Sequence, residues 1–291
     1  MRFTRTKAAL AAAGLALTLA ACGGDGGSTD VEVADSPEFE SGTKMAELAD
    51  AGEITIGVKF DQPGIGFQEP GADAPSGFDI EIGRILAAAL GIEDDGITWE
   101  ETVSENREPF LQNNRVDLVI ASYSITPERR EIVGQAGPYY VTGQQLLVRE
   151  EDKEKITTPE DTEGLKVCSV TGSTSLQRME DEYGASPVPF ATYSECVEQL
   201  ENGTVDAVTT DGAILLGYAA EKPDELEVVA EPFSEERYGV GYNKDAAEMC
   251  QFITDTIQAA MDDGTWAEAF EATLGESGVE TPEPPAMDPC S

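Results

Sequence analysis

Histidine is absent from this 291-residue chain. Without an imidazole, the chain can build neither a Ser-His or Cys-His nucleophile nor a histidine-ligated metal site. It also lacks the residue patterns of a P-loop, a calcium-binding loop and a nucleophile elbow. No acid/base pair stands out in their place, so we expect no catalytic residue, no metal and no cofactor.

Basic residues are scarce. Lys and Arg together number 18 against 57 Asp and Glu, which gives a formal net charge of −39. A chain this negative is repelled by nucleic acid and by anionic lipid surfaces. We therefore expect no nucleic-acid partner.

No apolar run in the N-terminal region is long enough to cross a bilayer. The run at residues 8–19 follows three basic residues and leads into Leu19-Ala20-Ala21-Cys22, a lipoprotein cleavage box. We predict that residues 1–21 are a signal peptide and that Cys22 becomes the lipid-bearing first residue, leaving a mature charge of −42. Residues 22–43, rich in Gly, Ser, Asp and Glu, are predicted to be a flexible tether.

A nine-residue pattern, L-x-N-x-x-V-D-x-V, occurs twice, at residues 111–119 and 200–208. Each copy predicts a helix end, a tight turn and a strand. Each also leads to a polar strand end, at residues 122–124 in the first copy and 209–211 in the second. The repeat predicts two related α/β lobes that face each other.

Local patterns place elements within each lobe. In the first, residues 54–58 form an apolar strand, and Asp79 is predicted to cap a helix over residues 80–90. In the second, the predicted strand 166–170 leads into the hydroxyl-rich helix start at residues 171–175.

Two short extended segments flank the second lobe, at residues 144–148 and 238–242. The chain leaves lobe one through the first segment and returns through the second. We therefore predict that they are the hinge strands.

Four cysteines follow Cys22: Cys168, Cys196, Cys250 and Cys290. Outside the membrane an even set predicts two disulfides, in any of three pairings. If the lobes move against each other, a bridge between them would lock the motion. That condition favours Cys168–Cys196 and Cys250–Cys290.

The segment after the predicted strand 116–121 indicates a ligand. Thr126 and Pro127 are typical of an N-cap and a first helical position, which places Arg129 and Arg130 in the first helical turn. The helix dipole already carries partial positive charge there, so a cation is disfavoured by about 0.3–1 kcal/mol. A negative group should lie nearby.

Ser122, Ser124, the free backbone N–H groups and Arg129 could together bind a carboxylate or a phosphate. The alternative is a surface arginine paired with Glu128 or Glu131.

Asp211, at the end of the other repeat copy, favours a cation. An α-amino acid presents a carboxylate and an ammonium on one carbon, so it could neutralise both sides of a closing cleft. Lys59 and Arg107 remain, and two further cations beside the pocket would indicate a second negative group on the ligand. The alternatives are a solvated turn for Asp211 and surface salt bridges for the two cations.

Several segments stand in the order and context of family 3 extracellular solute-binding proteins. They are Gly57-Val58-Lys59, Gly77-Phe78-Asp79, Asn106-Arg107, residues 122–129, Gly172-Ser173-Thr174 and residues 205–211. The chain most resembles the glutamate/aspartate-binding lipoproteins of ABC importers, over about residues 51–274.

The resemblance implies roles for individual residues. Arg129 and Ser124, helped by Thr174, would bind the α-carboxylate of the ligand. Asp211 and Ser122 would hold its α-ammonium.

The resemblance also implies a subsite for the ligand's side chain. Lys59 and Arg107 would bind a side-chain carboxylate, and Phe78 would supply an apolar wall. The chain departs from the family pattern at residues 60–67, a Gly/Pro-rich run longer than in many relatives.

We therefore expect an α/β protein with the two-lobed, type II periplasmic-binding-protein fold. Its predicted parts are the signal peptide 1–21, the tether 22–43, lobe one over 44–143, the hinge strands and lobe two over 144–242, and the return to lobe one with the tail over 243–291.

The expected function is that of a monomeric, membrane-anchored lipoprotein that delivers glutamate, or aspartate, to an ABC permease. Two alternatives stay open: a glutamine or broad polar amino-acid binder, and a tethered amino-acid sensor.

Overall fold

A computed structural model describes residues 31–290 of the chain. The predicted signal peptide and Cys22 lie outside this range. Within it no helix is long and apolar enough to span a membrane.

The described residues form two α/β lobes. In chain order the strands are β1 (Ile54–Val58), β2 (Asp61–Gln62), β3 (Gly66–Phe67), β4 (Ile97–Glu101), β5 (Leu118–Val119), β6 (Gly134–Thr142), β7 (Gln144–Arg149), β8 (Lys166–Val170), β9 (Ser186–Phe190), β10 (Ala207–Asp211), β11 (Leu226–Val229) and β12 (Glu236–Tyr242). The α-helices are α1 (Lys44–Ala51), α2 (Phe78–Ala89), α3 (Arg107–Gln112), α4 (Pro127–Ile132), α5 (Thr174–Glu182), α6 (Tyr193–Glu201), α7 (Gly212–Glu221), α8 (Met249–Asp263) and α9 (Thr265–Glu271). Short 3-10 turns lie at Asp94–Gly96, Ser104–Asn106, Glu150–Asp152, Pro159–Thr162 and Leu274–Ser277.

The two sheets share one topology. Lobe one has the strand order β4-β1-β5-β12-β6, and lobe two has β9-β8-β10-β7-β11. In each, three parallel strands are followed by two strands that run antiparallel to their neighbours. Because the carboxyl ends of parallel strands are the usual ligand side of such sheets, the two cleft edges carry equivalent positions.

The sequence repeat has the same structure in both lobes. Asn114 and Gly203, the fourth residues of the two copies, both adopt left-handed backbone conformations, with φ of 52° and 69°. The aspartates of the two copies also match, since Asp117 accepts the backbone N–H of Thr55 at 2.8 Å and Asp206 that of Lys166 at 2.8 Å. The repeat therefore fixes a turn and ties it to strand β1 in lobe one and to strand β8 in lobe two.

The predicted hinge strands are members of the two sheets. Strand β7 pairs with β10 and β11 in lobe two, whereas β12 pairs with β5 and β6 in lobe one. The chain crosses between the lobes at Gly143 and again at residues 230–235. We expected lobe two to end at residue 242, but it ends before residue 236, because β12 is a strand of the sheet of lobe one.

The described part of the predicted tether, residues 31–43, packs on lobe one. Val31 and Phe39 contact the core, and the Phe39 ring lies 5.8 Å from that of Phe252. The backbone N–H of Ala34 donates to Ala88 at 2.9 Å. The prediction that residues 22–43 are a flexible tether is therefore wrong for residues 31–43. Their apolar side chains pack on the surface of lobe one.

Both disulfides lie within a lobe. Cys168 is bonded to Cys196 in lobe two, and Cys250 to Cys290 in lobe one. These are the two pairings that we favoured from the sequence, on the condition that the lobes move against each other. Neither disulfide crosses the cleft.

Candidate functional site

A narrow cavity of about 10 Å³ lies between the lobes, at the carboxyl ends of the parallel strands. That is room for about one water molecule. Eleven of its twelve lining residues carry hydroxyl or charged side chains: Ser104, Arg107, Ser122, Ser124, Arg129, Ser173, Thr174, Ser175, Tyr193, Thr210 and Asp211. Ile214 completes the wall. The lobes are thus closed on a strongly polar interface, and they must separate to admit any larger solute.

Arg129 lies in the first turn of α4, where Thr126 caps the helix by accepting the N–H of Arg129 at 3.2 Å. Its guanidinium donates to the carbonyl of Ser124 at 2.7 Å and, across the cleft, to that of Gly172 at 3.1 Å. Glu108 is its ion-pair partner at 3.2 Å. The surface pairing with Glu128 or Glu131 is therefore not what holds this side chain, which is buried and points into the cleft.

Arg107 begins α3 and is also buried. It donates to the carbonyls of Ser104, Ala121 and Ser122 at 3.1–3.3 Å, and to that of Gly172 at 3.2 Å. Both arginines therefore converge on one carbonyl of lobe two. Burial, together with the nearby Arg129 guanidinium, lowers the pKa of Arg107 to about 10.

One aromatic ring contacts both guanidinium groups. Arg107 and Arg129 both lie over the Tyr123 ring, with their Cζ atoms 4.5 and 4.9 Å from its centroid. The hydroxyl of Tyr123 donates to Glu108 at 2.8 Å. Cation–π contact stabilises two like charges that would otherwise repel each other in a dry site.

Lys59 follows β1 and is buried beside the cavity, where its Nζ donates to the Ser104 hydroxyl at 2.9 Å. Burial lowers the pKa of Lys59 to about 7, and the charge of Arg107 adds to the effect. Asp61 and Asp79 oppose it. The ammonium is therefore poorly compensated and would gain from a nearby anion.

Asp211 ends β10 on the opposite wall. Its Oδ2 accepts the hydroxyl of Tyr238 at 2.6 Å, whereas its buried Oδ1 has no hydrogen-bond partner among the described residues. Burial and the charge of Glu236 raise the pKa of Asp211 to about 7. A buried carboxylate oxygen without a donor is costly. Asp211 is buried and is therefore not the solvated turn residue of the alternative interpretation.

Asp79 does not cap α2, contrary to the sequence-based expectation. The N-cap is Gly77, and the Asp79 carboxylate instead accepts the N–H of Ser122 at 2.7 Å and the hydroxyl of Tyr139 at 2.6 Å. Ser122 is held in a left-handed conformation with φ of 43°. This unusual backbone turns residue 122 toward the cleft, and Asp79 stabilises it from behind.

Ser124 and Thr174 donate their hydroxyl protons to a residue that the sequence did not indicate. Glu236, at the start of β12, accepts from Ser124 at 2.7 Å and from Thr174 at 3.0 Å. Its other oxygen accepts from Arg178 and Ser234, each at 2.9 Å. Burial would raise the pKa of Glu236, but these hydrogen bonds outweigh burial and lower it.

Phe78 does not line the cavity. Its ring is fully buried and lies 5.2–6.0 Å from those of Phe270, Trp266, Tyr139 and Tyr140. The expected apolar wall is thus part of the core of lobe one, because aromatic residues from β6 and α9 surround it.

The model of the family described as bacterial extracellular solute-binding proteins, family 3, matches residues 54–276. The chain belongs to this family. Family 3 members bind solutes, and the protein is accordingly a binding protein and not an enzyme.

Among relatives, the glutamate-binding protein GluB of Corynebacterium efficiens is 40% identical over 287 residues, covering 94% of this chain and 92% of the relative. The glutamine-binding protein GlnH of Bacillus subtilis is 32% identical, covering 91% and 94%. A solute receptor for L-cysteine from Neisseria gonorrhoeae superimposes with a TM-score of 0.77 at 26% identity, covering 84% of this chain and 98% of that structure. The expected periplasmic-binding-protein fold is confirmed.

Six of the eight ligand-binding residues expected in this family 3 protein line the cavity: Arg107, Ser122, Ser124, Arg129, Thr174 and Asp211. Lys59 lies behind Ser104, and Phe78 is buried in the core of lobe one. The sequence did not indicate Glu236, Ser104, Tyr193 or Glu108. Their roles depend on contacts between distant segments, for example the 112 positions that separate Ser124 from Glu236. No short pattern carries that information.

Proposed function

We propose that the protein captures an acidic amino acid, glutamate or aspartate, outside the cytoplasm and delivers it to an ABC importer. One observation carries the proposal. Two buried arginines of lobe one converge on the cleft opposite a single unsatisfied carboxylate of lobe two.

The charges of the wall match those of a dicarboxylic amino acid. Arg129 and Arg107 are cations on the cavity wall, and Lys59 is a third cation directly behind Ser104. Asp211 on the wall and Glu108, the ion-pair partner of Arg129, are the two anions, so the set carries one net positive charge. A ligand with two carboxylates and one ammonium supplies the complementary set. A neutral side chain would leave one buried cation without a counter-charge, which is costly.

We assign each charged group of the ligand to the side chain of opposite charge that faces it. The ligand's α-carboxylate would take the N–H donors of Arg129 that now bond the carbonyl of Gly172, and its ammonium would donate to Asp211 Oδ1. Its side-chain carboxylate would lie near Arg107 and Lys59. Charge-assisted hydrogen bonds of this kind contribute about 1.5–3 kcal/mol each.

The likeness to GluB, whose name states glutamate binding, supports the same ligand. A glutamine binder is the second candidate, since GlnH is 32% identical over nearly the same range. We further propose that Cys22 carries a lipid anchor and that the partner in the membrane is an ABC permease.

Calorimetry with glutamate, aspartate and glutamine tests the ligand. We expect glutamate or aspartate to bind most tightly. Lys59→Met should weaken glutamate binding by roughly ten- to a hundred-fold, because one charge-assisted contact is lost. Glutamine lacks the second carboxylate and should lose much less.

Lys166→Met is the matched control, since Lys166 is an exposed lysine of lobe two whose removal changes the net charge equally. It should leave both affinities unchanged. Tighter binding of glutamine than of glutamate by the unmodified protein, or an equal loss for both ligands in Lys59→Met, would contradict the acidic-ligand proposal.

A further inference from the structure

A small hairpin of lobe one reaches across the cleft to lobe two. Strands β2 and β3 pair through Asp61 with Phe67 and Gln62 with Gly66, and we call residues 61–67 the latch hairpin. Asp61, its first residue, lies against the start of α6, and Pro63 lies against the C-terminal half of α7. Among the residues of this hairpin, none belongs to the cavity wall.

The latch hairpin supplies an acceptor that α6 lacks. Thr192 and Glu195 form a capping box at the start of this helix, which leaves the N–H groups of Tyr193 and Ser194 without a partner inside lobe two. The carboxylate of Asp61 accepts both, at 2.7 and 3.4 Å. A helix N-terminus favours such an anion both through its free donors and through its dipole.

Two further contacts join the same surfaces. The hydroxyl of Tyr218, on α7, donates to the backbone carbonyl of Asp61. Gly217 lies so close to Pro63 that a methyl group on Gly217 would overlap the Pro63 carbonyl oxygen. The hairpin can therefore pack against α7 only because residue 217 has no side chain.

We propose that the latch hairpin is a closing device that sets the balance between the open and closed lobes without touching the ligand. Tyr193, whose N–H is bound by Asp61, lies in the cavity wall. Closing the latch hairpin therefore also fixes one wall of the site. A ligand bound in the closed form leaves only after these contacts break, so their strength controls the dissociation rate.

The test uses three variants, each of which removes or disturbs a different contact between the latch hairpin and lobe two: Asp61→Ala, Tyr218→Phe and Gly217→Ala. The last is the sharpest, since Ala is favoured over Gly within a helix and α7 itself should not weaken. Distances between labels at exposed positions Ala259 and Glu180, attached without cysteine chemistry, report the lobe separation. Stopped-flow experiments with L-glutamate report dissociation.

We expect each variant to lengthen the label distance in the unliganded protein. Dissociation of glutamate should accelerate by about ten-fold in Asp61→Ala, the value for loss of a partly exposed charged hydrogen bond. Asp73→Ala, an exposed acid in the loop after the hairpin, is the charge-matched control and should change neither quantity.

Asp61 also raises the pKa of Lys59, so its removal has a second effect on the site. Tyr218→Phe and Gly217→Ala leave that charge in place. The proposal would be overturned if the label distances were unchanged in all three variants, even if Asp61→Ala alone accelerated the dissociation of glutamate. The unliganded distances decide the matter even if the protein proves not to bind glutamate.

Discussion

At the residue scale, the site is defined by two buried ionisable groups of opposite sign whose pKa values lie close together. Burial lowers the pKa of Lys59 to about 7 and raises that of Asp211 to about 7. Each group is held in a place that disfavours its charged form. Each group is therefore only partly charged near neutral pH, and a complementary charge beside it would favour its charged form.

The pH dependence of glutamate binding should follow from this arrangement. A bound carboxylate raises the pKa of Lys59, so affinity should fall as pH rises above about 7 and the free protein loses this proton. A bound ammonium lowers the pKa of Asp211, so affinity should also fall as pH drops below about 7. Calorimetry from pH 5 to 9 should thus give a maximum near neutrality.

Variants separate the two limbs of this profile. Lys59→Met should remove the decline at high pH, and Asp211→Asn the decline at low pH, each on top of a weaker overall affinity. A flat profile for the unmodified protein would mean that neither group contacts the ligand.

At the element scale, the repeat places one carboxylate beside strand β1 in lobe one and one beside strand β8 in lobe two. Asp117 and Asp206 accept the N–H groups of Thr55 and Lys166 at the same distance. Among residues 31–290 only Asp117 of this pair also has a cation beside it, since Lys44 Nζ lies 3.0 Å from its Oδ1. Burial lowers the pKa of Lys44, but the hydrogen bond and the charge of Asp117 outweigh burial and raise it. The two copies are therefore a natural pair for comparing one hydrogen bond with the same bond plus an ion pair.

Replacing either aspartate with Ala should lower the free energy of unfolding. We expect a loss of about 1–2 kcal/mol for Asp206→Ala and a larger loss, by about 0.5 kcal/mol, for Asp117→Ala, whose ion pair is partly exposed. Urea denaturation provides the measurement. Equal losses would show that the ion pair with Lys44 contributes nothing to the free energy of unfolding. No loss in either variant would show that the two aspartates of the repeat do not stabilise the lobes.

Element boundaries also indicate where we expect the lobes to move relative to each other. Strands β6 and β12 pair in lobe one up to Thr142 and Glu236, and β7 begins lobe two at Gln144. We therefore expect two short bending points, at Gly143 and at residues 230–235. The sheets on either side can move as rigid units.

At the scale of the whole molecule, each lobe is stabilised internally and the cleft is left free to open. The disulfides close loops of 28 and 40 residues within their own lobes. In the chain-entropy account each contributes about 3.5–4 kcal/mol. Closure instead depends on weak contacts across the cleft, such as those of the latch hairpin.

The excess of acidic residues acts over the whole surface. A chain of formal charge −39 repels an anion as it approaches, although the site itself attracts it at short range. Raising the ionic strength from about 10 mM to about 0.3 M screens the long-range part. We expect the association rate of glutamate to rise by roughly three- to ten-fold over this range.

Glutamine carries no net charge, so its association rate should be nearly constant over the same series. Stopped-flow measurements with both ligands make the comparison. A glutamate rate that falls with added salt would mean that the entrance to the cleft is positive despite the overall charge.

The sequence by itself determined what depends on neighbouring residues. Strands 54–58 and 166–170 have the bounds that their apolar runs predict, and Thr126 caps α4 as expected. The repeat predicted two lobes of one topology, and the cysteine pairs followed from the need for those lobes to move. Local propensity and periodicity carry this information because hydrogen bonds of strands, turns and caps join residues close in sequence or in register.

Only the tertiary structure decided which side chains meet. Asp79 had the position of a helix cap, yet it supports Ser122, 43 residues away. Phe78 had the position of a ligand wall, yet rings from β6 and α9 enclose it. Asp61 finds its partner 132 residues along the chain, in the other lobe. Such contacts depend on how the two lobes pack and close, which is a property of the whole fold and not of any segment.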